Sequence, residues 1–171
     1  MTSLPRTSSR SLIAAMAILA ITAAASIATP QAAHAYDEQS TSALNVDSKG
    51  IALQGYDPVS YFTSSGPQQG ASTLAETIDG STYWFASSEN RDAFKQDPGK
   101  YAPAFGGFCA MGVALEKKLD VNPLLWRVVD GKLYLNVHKE AQARWLEDVQ
   151  GNIAKANENW PTIKDAAPKA L

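Results

Sequence analysis

Cysteine is nearly absent from this sequence: among 171 residues there is one, Cys109. A single cysteine excludes an internal disulfide and any CxxC pair, so the fold must stand on packing alone. Histidine is almost as scarce, with only His34 and His138. No phosphate-binding loop ending in Lys-Ser/Thr is present, nor a dinucleotide fingerprint, a nucleophile elbow or a paired-histidine zinc helix. There is no basic excess either, since 15 Lys and Arg stand against 17 Asp and Glu for a net charge of −2. That balance argues against nucleic acid, or an anionic membrane surface, as the main partner.

Long apolar runs are confined to the N-terminus. Arg6 and Arg10, with no acidic residue near them, precede an apolar stretch from Leu12 to Ala28, and Ala33-His34-Ala35 follows. Basic, apolar and small-x-small in that order make residues 1–35 a secretory signal peptide, cut between Ala35 and Tyr36. The stretch is interrupted by Thr22 and Ser26 and is at the short limit for a span, which favours cleavage over anchoring. No cysteine stands at the cut for acylation, and Arg6 and Arg10 are not adjacent as a twin-arginine signal requires. The expected product is periplasmic or secreted, with no stable membrane insertion after cleavage.

Removing 35 of 171 residues leaves 136, the size of one domain. Loss of Arg6 and Arg10 leaves 13 basic against 17 acidic residues, a formal charge of −4. All four Trp, six Tyr and five Phe lie beyond residue 35, enough aromatic area to hold such a domain without staples. Residues 36–49 are polar and without a clear period, and read as a linker with a short strand at Ala43 to Val46. The domain spans 50–161.

Within it, Asp79-Gly80 and Asp130-Gly131 each join two strand-like runs, a strong hairpin signal because both turn positions tolerate positive φ. Ser87 or Ser88 can cap a helix that Asp97-Pro98 ends. Ala141, Trp145 and Val149 form a helical stripe after Lys139; Gly151 is expected to interrupt it, and a short helix over 152–158 to lead to Trp160-Pro161. Hairpins followed by helices, without regular alternation, give an α+β class: a small antiparallel sheet built from two hairpins, packed with short helices and a C-terminal helix. No internal repeat of 20 to 50 residues is visible, because the hairpins share little beyond their turns. Residues 162–171 read as a flexible tail.

Three side chains could serve a soft metal: Cys109, Met111 and His138. The run from Phe108 to Leu115 leans helical by its Ala and Met content, while its short length between breakers also allows a strand. On a strand Cys109 and Met111 share a face, whereas on a helix they stand about 200° apart. Thiolate, thioether and imidazole together would suit a copper-like transition metal, Cu(I), rather than Mg²⁺ or Ca²⁺. The alternatives are a buried structural Cys109, a redox or nucleophilic Cys109, and a His138 that caps a helix. Tyr83-Trp84-Phe85 reads as core and sheet surface, and Gly106-Gly107 as a structural turn or a close approach to a bound group.

The run Gly55-Tyr56-Asp57-Pro58-Val59-Ser60-Tyr61-Phe62 resembles the opening of the YHS-domain family, in its exported single-domain branch. The resemblance continues through Tyr83 to Ser87, Asn90 to Phe94, Asp97-Pro98, Tyr101 to Pro103 and Gly106 to Ala110. It extends through Asp130 to Asn136, Gly151 to Ala156 and Trp160-Pro161, covering nearly all of 50–161. In the wider group and the similar TRASH domains, cysteines around a short hairpin and helix are associated with metal handling. Here Ala86 or Ser87, and then Asn90, stand where those cysteines would be. The resemblance implies an exported binding domain without its own catalysis, with a transition metal or an envelope protein as partner. A thiol-based redox protein or enzyme using Cys109, and an envelope protein-interaction module, are the alternatives.

Overall fold

Both Asp-Gly pairs turn the chain as their chemistry requires, with φ of 50° and 85° at Asp79 and Gly80 and 49° and 73° at Asp130 and Gly131. The first turn joins β1 (Ala71–Ile78) to β2 (Ser81–Phe85), the second joins β3 (Asn122–Val129) to β4 (Lys132–Asn136), and each hairpin forms its own two-stranded antiparallel sheet. This computed structural model describes residues 1–2 and 36–171, so the segment expected to be a signal peptide lies outside the described residues but for Met1 and Thr2. Five α-helices accompany the hairpins, and the fold is α+β.

Helix α1 (Ser88–Gln96) starts at Ser87, whose Oγ accepts the Asn90 N–H at 3.1 Å. It buries Phe94 completely against Tyr83 and Phe85, at ring separations of 4.6 and 5.4 Å. Asp97 then caps α2 (Pro98–Tyr101). In the second part of the chain His138 caps α4 (Lys139–Glu147), which buries Trp145 against Tyr134 at 5.6 Å. Asp148 caps α5 (Val149–Ile163).

These two descriptions are one motif used twice. The β1–β2 pairs Ala71↔Phe85, Ala75↔Trp84 and Ile78↔Ser81 become Asn122↔Asn136, Trp126↔Leu135 and Val129↔Lys132, each number raised by 51, and the irregularity between the first two pairs recurs at the same place. Caps recur at the same offset: Ser87 and His138, then Asp97 and Asp148, the last two with nearly identical backbone angles (φ −145°, ψ 73° and φ −150°, ψ 77°). The match extends upstream. Leu53, Gln54 and Gly55 have positive φ in succession, as do Phe105, Gly106 and Gly107, 52 residues later. The spacing lies just beyond the 20 to 50 residues within which no repeat was expected: the domain is a structural duplication whose halves retain backbone geometry while most side chains differ.

The chain on either side of this pair is packed. Residues 36–49, expected as a linker, are held by Asn45, whose N–H donates to Gly106 O and whose amide donates to Gly107 O and Asp120 Oδ1. Gly106 sits at φ 60° with Ala43 O where a Cβ would stand, so the close approach foreseen there is made by the chain itself. Val46 forms only an isolated bridge, to Ala52.

At the other end α5 runs unbroken through Gly151 and Pro161 to Ile163. The interruption falls at Asp148 instead, whose extended backbone and capping carboxylate start the helix afresh. Beyond it lies the segment expected to be a free tail. Lys118, 1% exposed, donates from Nζ to Ser42 O, Lys164 O and Ala166 O at 2.7 to 2.8 Å, and Lys169 N–H donates to Glu38 O. Residues 162–171 are thus fastened to the domain in this structure.

Candidate functional site

Phe108 to Leu115 resolves as helix: α3 (Ala110–Ala114), with Cys109 as its N-cap. The Cys109 sulfur accepts the Gly112 N–H at 3.4 Å, and its S–H faces Asn136 Oδ1 at 3.6 Å. Asn136 Oδ1 also accepts the Met111 N–H at 3.3 Å, so one buried amide ties the end of β4 to the start of α3. Cys109 has no measurable exposure. Burial pushes its thiol pKa up, with the N–H groups of Gly112, Val137 and Met111 pulling the other way. The thiol is therefore neutral at ordinary pH and its hydrogen-bond partner is an amide, not a base.

Since Cys109 precedes the helix rather than lying on it, the 200° separation does not apply. Cys109, Met111 and His138 line one cavity of about 270 Å³ between α3 and α4. Val137, Leu119 and Ala141 give it an apolar wall, and Lys117, Glu140 and Arg144 lie on its lining as well. Met111 is buried, while the His138 side chain is 59% exposed. His138 Nδ1 accepts the Ala141 N–H at 3.1 Å and stands 3.1 Å from Glu140 Oε2. The two contacts are exclusive. A bare Nδ1 lone pair makes the cap, and a protonated Nδ1 would exchange it for the carboxylate. His138 is thus a capping residue, and in that tautomer its Nε2 carries the proton.

The first half treats the corresponding position differently. Asp57 is completely buried, its Oδ1 accepting the Val59 N–H at 2.8 Å and its Oδ2 the Ala86 N–H at 2.9 Å and the Asn90 amide at 2.6 Å. Ala86 and Asn90 are therefore engaged in holding a carboxylate. No soft-metal donor set exists there. Among the described residues, no group of three or more His, Cys, Asp or Glu gathers as a metal site, so a metal in the second half would depend on Met111.

A larger hollow of about 450 Å³ runs along the N-terminal segment, lined by Tyr36, Asp37, Asn45, Asp47 and Phe108 among others. It contains none of the three candidate donors and is built from a single stretch of chain laid over Phe108.

No family model, curated protein or solved structure matches this chain. The likeness to YHS domains accordingly rests on the sequence blocks themselves. Their most distinctive run, Gly55 to Phe62, has a structural purpose, because Asp57 links it to the β2–α1 corner. Sequence reasoning missed Asn136 and Ala141. Nothing in a strand-ending Asn or a helical Ala marks them, although the 51-residue offset, once seen, leads from Asn90 to Ala141.

Proposed function

We propose that the chain is an exported YHS-type binding domain without catalysis of its own, and that its ligand site is the cavity between α3 and α4. The observation that carries this reading is the convergence of Cys109, Met111 and His138, which come from two separate parts of the sequence, on one largely apolar cavity. Its size suits a compact ligand, being just below the range of about 300–1,000 Å³ common for small-molecule sites. Support for a non-catalytic role comes from Cys109: a buried neutral thiol paired with an amide is a poor nucleophile. Native mass spectrometry of protein from its own compartment tests the reading. A small molecule should accompany the wild type and be missing from Ala141→Leu, whose side chain fills the cavity; identical spectra would refute it.

A soft transition metal is the second reading, favoured by the same three donors. Cu(I) would take the Cys109 sulfur, the Met111 thioether and His138 Nε2, at the cost of deprotonating a buried thiol and of moving the imidazole proton to Nδ1, which gives up the Ala141 cap. Copper(I) titration of wild type and Cys109→Ala, each with a thermal melt, decides between the occupants. Tight binding that the substitution abolishes would establish the metal, and indifference to the substitution would remove it.

A further inference from the structure

We infer that the α3–α4 cavity is a site for a small organic anion, a carboxylate carried on a short apolar body. The inference rests on the reading of this cavity as the ligand site and names the class of ligand.

Comparison of the two halves shows how the cavity arises. Asp57 and Cys109 occupy equivalent positions after the runs of positive φ, and Ala86 and Val137 are equivalent at the end of each hairpin. One turn into the following helix, Asn90 reaches back and donates to Asp57. Raising its number by 51 gives Ala141, which has no side chain beyond Cβ and lies on the cavity wall. The cavity thus occupies the region where the first half places the Asn90 carboxamide. In the second half a small molecule would stand there instead.

The same comparison indicates the ligand's charge. Ala93 of α1 corresponds to Arg144 of α4, so the half that loses an amide at one position gains a guanidinium one turn further on. Lys117 adds a second cation to the lining. Both are exposed, and neither has an ion-pair partner among the described residues. The lining also carries one carboxylate, Glu140, so Lys117 and Arg144 leave it with one net positive charge. Deeper in, Met111, Leu119, Val137 and the neutral thiol of Cys109 offer no free donor or acceptor to a polar group. An apolar body inside and a negative group at the mouth satisfy both parts of the lining.

Hexanoate and hexanol are the probes, followed by amide chemical shifts of the purified protein. Hexanoate should bind with shifts centred on α3 and the start of α4, and hexanol roughly tenfold or more weakly. Lys117→Gln with Arg144→Gln, both at exposed positions, should erase that preference, and Ala141→Leu should abolish both interactions while the melt stays cooperative. Equal binding of the two probes to the wild type would overturn the anion assignment but leave the cavity as a ligand site. Shifts elsewhere, or none with either probe, would overturn the inference, and the native mass comparison with Ala141→Leu would then judge the site separately.

Discussion

Asp57 and Cys109 stand at equivalent places in the two halves, where the first is held by the N–H groups of Val59 and Ala86 and the second has those of Met111 and Val137 beside its sulfur. One backbone cradle therefore carries a carboxylate in one half and a neutral thiol in the other. Asn90 completes the first; the proposed ligand cavity adjoins the second.

Asp57→Ala should destabilise the domain by about 2–4 kcal/mol, because it strands two backbone N–H groups and the Asn90 amide in a buried corner. Urea unfolding measures it. A loss below about 1 kcal/mol would show that the corner relaxes to water.

Cys109→Ser should cost about 1–3 kcal/mol, since a hydroxyl replaces a larger sulfur in a fully buried site and desolvates a more polar group. Native Cys109 should also react with a thiol reagent far more slowly than the urea-unfolded chain. Equal rates would mean that the sulfur is accessible and that its burial has been misjudged.

Stability should decline at alkaline pH. Burial raises the pKa of Cys109 above the ordinary thiol value of 9.0, and those of Tyr61 and Tyr83 above the phenolic 10.0. The unfolded chain then releases these protons first, so their contribution is complete below about pH 9 and is lost as pH rises toward the folded-state values. Tyr61 also donates to Pro123 O at 3.0 Å, a bond that its phenolate cannot make. Urea midpoints from pH 7 to 11 should fall, and a flat profile would contradict the assignment.

Lys118→Met should cost about 2–4 kcal/mol, through three carbonyls left without their donor. It should also expose the C-terminal segment to protease. If residues 164–171 stay protected in the variant, other contacts hold them.

Much of the fold was legible in the sequence because turns and caps are written in single residues. Asp79-Gly80 and Asp130-Gly131 required positive φ, and Ser87 offered a capping oxygen. The duplication was hidden because equivalent positions carry unlike side chains, among them Phe85 and Asn136, Asn90 and Ala141, and Asp57 and Cys109. Gly151 misled for a different reason: a glycine tolerates helix, and the break is made by the backbone of Asp148. Of the candidate site, Cys109, Met111 and His138 were nameable by donor chemistry. The cavity that gathers them depends on the shortness of Ala141, which becomes informative only beside Asn90.

The bond between Lys169 and Glu38 and the triple grip of Lys118 also decide how the domain answers mechanical load. Tension applied at residues 36 and 171 would act first on these few contacts, not on the hairpins, whose strand ends lie far along the chain from either point. The ends would peel before the core yields. The cavity between α3 and α4 would keep its shape until that clasp had opened.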